Sequence, residues 1–307
     1  MTHEPVAAID CGTNSLRLLI TEQGRDLVRE MRIVRLGHGV DRTGRLDPAA
    51  LERTRSALAD YKRLIDGHGV TRVRMVATSA TRDAENAGDF HDMVLAPLGR
   101  PAEVITGEQE AALSFAGAVA GLPHDDHRSY LVVDIGGGST EFVRGTERVE
   151  RSMSVDVGCV RMTERHLRSD PPSPVELDAA VGDISRAVGT ALSYVDGAGQ
   201  HLVGLAGSVT TIAGIALDLP RYDPDRIHHS VLTAAAVEEI AAHLSTMDHA
   251  QRAAIPVMHP GRVDVIIAGA LVLREVMRQT GATEITVSEH DILDGIAGSI
   301  NAEEAKR

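Results

Sequence analysis

The sequence predicts an α/β protein made of two similarly folded halves, and three observations carry that reading. Apolar strand-like runs alternate with helical segments along the chain. An apolar strand that ends in Asp and enters a Gly-containing, hydroxyl-rich turn occurs twice, first as AAID-CGTNS-LRLLI and again as LVVD-IGGGST-EFV. Finally, 43% of the 307 residues are hydrophobic, enough for two cores, since single cores stop growing near ~250–300 residues.

Each element has a local reason. Val6–Ile20 reads as strand, turn and strand, and Arg32–Leu36 as a further short strand. Asp47 and Pro48 suit the N-cap and first position of a helix that runs to Ile65, with Leu51, Leu58, Tyr61 and Ile65 at helical spacing. Arg72–Ala77 alternates as a strand, Thr81–Phe90 reads as a short helix, Glu103–Thr106 as a strand, and Glu108–Val119 as a helix closed by Gly121. The polar stretch LPHDDHRS breaks the pattern and places a domain boundary between residues 124 and 125. After the second Asp-led hairpin come the turn-rich RSDPPSP, a helix over Val175–Tyr194, a strand over His201–Leu205 and a helix opened by Gly207 and Ser208. DLPRYDPDRIHH reads as loop, Thr233–Leu244 and Arg262–Thr280 as helices, and Glu284–Ser288 as a strand. The second domain is expected to end at residue 291, with a last helix over Ile292–Asn301 that packs back on the first domain.

Composition excludes several classes of function. The formal net charge of −13 repels nucleic acid and anionic membranes. Lys62 and Lys306 are the only lysines, so a P-loop, which needs Lys after its glycines, is excluded. Cys11 and Cys159 are too few and too far apart for a disulfide framework or a cysteine zinc site. HExxH and GxSxG are absent. No signal-peptide pattern opens the chain, and the longest apolar run, near Val265–Leu273, is far short of the ~20 residues of a membrane span. A cytoplasmic protein is expected.

Chemistry concentrates in the turns. Gly12, Thr13, Asn14 and Ser15 follow Asp10. Gly lets the backbone approach an anion, successive N–H groups form an anion-binding concavity, and a carboxylate at the strand end can hold a divalent cation. Asp, Gly and Asn also favour ordinary hairpin turns. In the second turn, Asp134 precedes Gly136, Gly137, Gly138, Ser139 and Thr140, and a plain hairpin does not need three glycines. Glu141 on the outgoing strand is placed to join a metal's water shell. Gly207 and Ser208 open a helix, where free N–H groups and the dipole attract anions; an ordinary Ser cap reads the same way. Arg82 could fork onto phosphate oxygens. Glu108 and Glu110 both open a helix, and the pattern does not choose between them as a general base.

Taken together, these segments resemble the exopolyphosphatase and guanosine-pentaphosphate phosphohydrolase (Ppx/GppA) family of the actin-like ATPase superfamily. The carrying segments, in the family's order, are AAIDCGTNSLRLLI, ATSATRDAEN, ITGEQEAALSFAGAV, LVVDIGGGSTEFV, VDVGCVRMTE, GLAGSVTTIAGI, IHHSVLTAAAVEEI and HPGRVDVIIAGALVL. The resemblance implies two actin-like, ribonuclease H-like domains with a cleft between them. It places the catalytic Glu of the family's SGxEEA pattern on Glu110, although Gln109 replaces the preceding Glu and Thr106 the Ser. It makes Asp10, Asp134 and Glu141 the metal-associated carboxylates, with Glu141 also helping catalysis. Gly12, Asn14, Ser15, Arg82, Gly136, Gly137, Ser139, Gly207 and Ser208 fall on its phosphate-contacting positions. Where the family reads S-D-x-G-x-R-E-G, this chain has Ser288, Glu289, His290, Asp291, Ile292, Leu293, Asp294 and Gly295, without the Arg.

The implied reaction is hydrolysis of the terminal phosphoanhydride bond of polyphosphate with Mg²⁺, or Mn²⁺ in its place. Glu110 would act on the attacking water. Polyphosphate or a guanosine polyphosphate such as pppGpp is expected as substrate or inhibitor, with a link to the stringent response, and a homodimer is expected. A nucleotide-binding regulator without turnover is the alternative of a different class. Longer relatives carry an extra helical region, so this chain is expected to prefer short polyphosphate and to be weakly processive.

Overall fold

The computed structural model describes residues 4–122 and 129–304. Most of the polar break at 122–129 therefore lies outside the described residues. The chain divides into two compact units, Met1–Gly117 with Ile292–Arg307, and Ala118–Asp291.

The first unit begins with β1 (Val6–Cys11), β2 (Ser15–Glu22) and β3 (Arg25–Ile33), an antiparallel meander. β3 begins earlier than the expected Arg32–Leu36 strand. Its turn is Gln23 and Gly24, both left-handed at φ 53° and 78°, the geometry that matches hairpin twist. Next come α1 (Val40–Thr43) and α2 (Pro48–Gly67). The Asp47 side chain accepts from the N–H groups of Ala49 and Ala50, as the cap reading requires. β4 (Arg72–Ala77) pairs parallel with β1. The single helix expected over Thr81–Phe90 is two, α3 (Ser79–Arg82) and α4 (Ala87–Leu98). Phe90, Val94 and Leu98 form the buried face of α4. β5 (Glu103–Val104) and α5 (Gly107–Val119) follow. The sheet order is β3-β2-β1-β4-β5.

The second unit repeats the plan. β6 (Tyr130–Ile135), β7 (Thr140–Gly145) and β8 (Val149–Val155) form a meander, followed by α6 (Cys159–His166) and α7 (Pro174–Val195). Ser173 and Glu176 close a capping box on α7. β9 (His201–Leu205) pairs parallel with β6 and leads into α8 (Ala206–Ala216). Then come α9 (Pro224–Ile227), β10 (Val231–Thr233), α10 (Ala234–Thr246), α11 (His249–Ala253), α12 (Ile266–Thr280) and β11 (Glu284–Val287). The order is β10-β11-β9-β6-β7-β8, the same meander-plus-parallel arrangement with one added edge strand. Both sheets thus have the ribonuclease H-like topology of an actin-like half. α12 starts later than the expected Arg262, because Arg262 and its neighbours form the turn ahead of it.

The last helix, α13 (Ile292–Glu304), joins the first unit. Its Ile292, Leu293, Ile296 and Ala297 share a buried cluster with Val6, Ala8, Leu19, Val76 and Ile105. Leu293, which stands where the resemblance calls for Arg, is thus part of this core. The helix is also tied by polar contacts. Asp294 accepts from Arg29 at 2.6 Å, and Arg72 donates to the Ile300 carbonyl at 2.6 Å. A Cβ on Gly295 would lie 2.0 Å from the Leu113 carbonyl oxygen, so only glycine permits this approach of α13 to α5. Aliphatic residues dominate both main cores.

Candidate active site

In the first unit the β1–β2 ladder sets Asp10 directly opposite Arg17. Arg17 donates from Nε and Nη2 to Asp10 Oδ2 at 3.0 and 2.7 Å. The turn closes with the Gly12 N–H donating to the Ser15 carbonyl at 3.0 Å. The Asn14 carbonyl accepts from the N–H groups of Val34 and Arg35. The Thr13 hydroxyl is buried against the Ser79 hydroxyl at 2.9 Å. Gly37 packs so closely on Thr13 that a Cβ there would lie 2.3 Å from Cγ2. The turn is therefore braced from behind.

Glu108 and Glu110 separate clearly. Glu108 is exposed on the first turn of α5, whereas Glu110 is buried and its Oε2 lies 3.4 Å from Arg82 Nη1. The same Arg82 atom donates to the Ile105 carbonyl at 2.9 Å, which fixes the guanidinium between α3 and α5. The two departures from the SGxEEA pattern have a joint explanation. The Thr106 N–H donates to Gln109 Oε1 at 2.9 Å, and the Gln109 N–H donates to Thr106 Oγ1 at 3.2 Å. Thr106 and Gln109 thus form a reciprocal capping box that fixes the start of α5, three residues ahead of Glu110.

In the second unit the hairpin register repeats, but its charges do not. Asp134 stands directly opposite Glu141, and the two are only 8% and 1% exposed. Glu141 Oε1 accepts from the Ser154 hydroxyl at 2.7 Å, across the β7–β8 ladder. The Gly136 N–H donates to the Ser139 carbonyl at 3.0 Å, as in the first turn. The carbonyls of the glycine run are held by the start of α6. Gly136 accepts from the Cys159 N–H, Gly137 from the Val160 N–H, and Gly138 from Arg161 Nε. A Cβ on Gly158 would lie 2.4 Å from the Gly137 oxygen. Position 158 therefore needs glycine so that its backbone can pack on that of the glycine run.

The turn at Gly207 and Ser208 opens α8. Ala206 is left-handed, at φ 70°, a strained place for a side chain. Arg262, to which the sequence reading gave no role, lies flat on Gly207. A Cβ there would come within 2.2 Å of its Nη2, and its Nη1 donates to Thr211 Oγ1 at 3.0 Å. The Ser208 hydroxyl hydrogen-bonds the Cys159 thiol and sits over Gly269, where a Cβ would be 2.2 Å away. Burial pushes the Cys159 thiol up, against the pull of that hydrogen bond and of Arg262. Arg17 and Arg262 were the residues sequence reasoning missed. In a chain whose cations are nearly all Arg, no single Arg signals itself without register or packing.

Among the described residues, no group of three or more His, Cys, Asp or Glu side chains is arranged to hold a metal ion. The two candidates differ in chemistry. Asp10 already shares its charge with Arg17, while Asp134 and Glu141 are two facing carboxylates. A Mg²⁺-type cation fits the second pair, since it commonly takes one or two carboxylates and fills its shell with water and substrate phosphates.

The sequence matches the model of the Ppx/GppA phosphatase family over residues 20–302. It is 48% identical over 318 aligned positions to exopolyphosphatase 2 of Mycobacterium tuberculosis, covering 96% of this chain and 98% of that protein. Among solved structures, it resembles an exopolyphosphatase-like protein (38% identity, TM-score 0.95, 98% and 99% of the two chains). It also resembles the Aquifex aeolicus Ppx/GppA protein (32% identity, TM-score 0.81, 98% of each chain). With the family match running from residue 20 through the buried glutamate and the second hairpin into the final helix, this chain belongs to the Ppx/GppA phosphatase family.

Proposed function

We propose that the protein is an exopolyphosphatase, hydrolysing the terminal phosphoanhydride bond of inorganic polyphosphate and releasing orthophosphate. The observation that carries this reading is Glu110, a buried carboxylate held beside Arg82 on a capped helix start. The relative that shares 48% of its residues is named an exopolyphosphatase, which supports the same chemistry.

In this reading Glu110 accepts a proton from the attacking water, and Arg82 orients the carboxylate and phosphate oxygens. The turns at Gly12–Ser15, Gly136–Ser139 and Gly207–Ser208 offer backbone N–H groups to the phosphate chain. Asp134 and Glu141 hold the divalent cation, Mg²⁺ or Mn²⁺, which when bound neutralises charge developing on the transferred phosphoryl group. Local backbone and cation potentials thereby admit a polyanion to a protein of net charge −13.

The test is orthophosphate release from polyphosphate, pppGpp and ATP, side by side, with Mg²⁺ and with excess chelator. Release from polyphosphate that needs the cation is expected. No release from polyphosphate under any divalent cation would refute the reading, and faster release from pppGpp would move the substrate to the guanosine polyphosphate.

A further inference from the structure

A hydrogen-bonded chain in the second unit ends on a cluster of three imidazoles. Thr210, on the second turn of α8 behind Gly207 and Ser208, has its hydroxyl 2.7 Å from the Tyr222 hydroxyl. Tyr222 in turn donates to Glu289 Oε1 at 2.5 Å. The backbone N–H of Glu289 then donates to His228 Nδ1 at 3.2 Å. The His228 ring stacks on His229, with centroids 3.7 Å apart, and tilts against His290 at 4.5 Å. These residues gather where β9 and β11 end. The Ser288 N–H donates to the Gly204 carbonyl and the His229 N–H to the Val287 carbonyl. In α/β sheets, ligands bind outside the carboxyl ends of the strands.

One link in this chain depends on a proton. A backbone N–H can only donate, so His228 Nδ1 must accept and must carry no proton. Protonating that nitrogen turns two N–H groups toward each other and breaks the link. We propose that His228, Glu289 and Tyr222 are positioning residues for the α8 phosphate turn, and that protonation of His228 uncouples them so that phosphate-chain binding weakens in acid. The proposal rests on the phosphate-hydrolysis reading only for the identity of the ligand.

The surroundings of His228 define its titration. His229 and His290 face it as imidazoles, and Glu289 brings a carboxylate from the end of β11. Asp223, Asp225 and Arg226 accompany it on and beside α9. Burial pulls the His229 imidazole below its ordinary range, and His290 adds to that. The cluster thus resists taking a second proton. Beyond the link, burial and Glu289 hold the Tyr222 phenol protonated, against the opposing field of Arg262, so Tyr222 stays a donor. His229 is held left-handed at φ 60°, a strained conformation that keeps its ring on the stack.

The test measures tripolyphosphate binding to the full chain by calorimetry between pH ~8 and ~5.5, across the ordinary imidazole range. Asn places an amide oxygen where His228 has Nδ1 and does not titrate. His228→Asn is expected to bind within about twofold of wild type at the upper pH and to lose the wild-type acid weakening of roughly tenfold. Tyr222→Phe is expected to bind several-fold more weakly throughout, with the acid step gone. His290→Gln removes the imidazole that tilts against His228 and should shift the acid midpoint. Should His228→Asn misfold, the His290→Gln midpoint decides alone. A His228→Asn curve that follows wild type, an unmoved His290→Gln midpoint, or a Tyr222→Phe variant that keeps both affinity and acid step would overturn the proposal. Because the readout is binding, it holds whether or not the protein turns over polyphosphate.

Discussion

Asp134 faces Glu141 across the second hairpin, at the ladder position where Asp10 faces Arg17 in the first. A duplicated register thus carries opposite electrostatics. In the first unit the acid is neutralised by a guanidinium at 2.7 Å. In the second, two buried carboxylates stand directly opposite each other, a like-charge pairing that a bound cation would relieve.

Removing one of those charges should therefore stabilise the cation-free protein. Glu141→Gln is expected to raise unfolding stability in chelator by about 1 kcal/mol. It should also abolish the stabilisation that Mg²⁺ gives wild type. Thermal unfolding with and without Mg²⁺ checks both, and a Glu141→Gln protein still stabilised by Mg²⁺ as wild type is would place the cation elsewhere.

The placement of Ser208 gives a second expectation. Gly269→Ala puts a methyl 2.2 Å from the Ser208 hydroxyl, on a helix that has no chemistry of its own. The displaced serine should raise KM for polyphosphate several-fold, with a smaller change in kcat. Steady-state kinetics on the purified variant measure the split, and an unchanged KM would remove Ser208 from the phosphate site.

The cap on α5 can be tested apart from catalysis. Thr106→Ala removes half of the capping box and should cost about 1 kcal/mol in denaturant unfolding. Gln109→Glu keeps the reciprocal bond and adds negative charge at a helix N-terminus. It should be neutral or slightly stabilising, and a destabilised Gln109→Glu would mean that charge beside Glu110 outweighs the cap.

Acid stability has a definite source on α12. Burial alone would raise the Glu275 carboxyl, but Arg278, Gln279 and Ser185 outweigh it and hold it lowered to about 2. A carboxylate lowered in the folded state stabilises above its unfolded value and loses that contribution as pH falls toward the folded one. Glu275→Gln should therefore be less stable than wild type at neutral pH. The difference should shrink between pH ~4 and about 2, as read from urea midpoints across that range.

Much of this was legible from residue patterns, for local reasons. The two hairpins announce themselves by Asp–turn–apolar runs, and Asp47–Pro48 states where α2 begins. β3 and β8 were missed or shortened because they are edge strands in which no residue is fully buried; ladder pairing defines them rather than an apolar pattern. α4 carries Gly88 and Pro97, which speak against a helix, although Phe90, Val94 and Leu98 had the right spacing. Glu108 and Glu110 are alike in residue pattern; the family resemblance points to Glu110, and burial beside Arg82 sets it apart in the fold. Arg17 and Arg262 needed register and packing to stand out among so many arginines.

The most direct measurement compares Glu110→Gln with Glu108→Gln in orthophosphate release from polyphosphate with Mg²⁺. Gln keeps size and hydrogen bonding but removes basicity, so Glu110→Gln is expected to lose about 10²-fold or more in turnover while tripolyphosphate binding is retained. Glu108→Gln, altered at an exposed position, should stay near wild type. Near-normal turnover by Glu110→Gln together with an inactive Glu108→Gln would contradict the account.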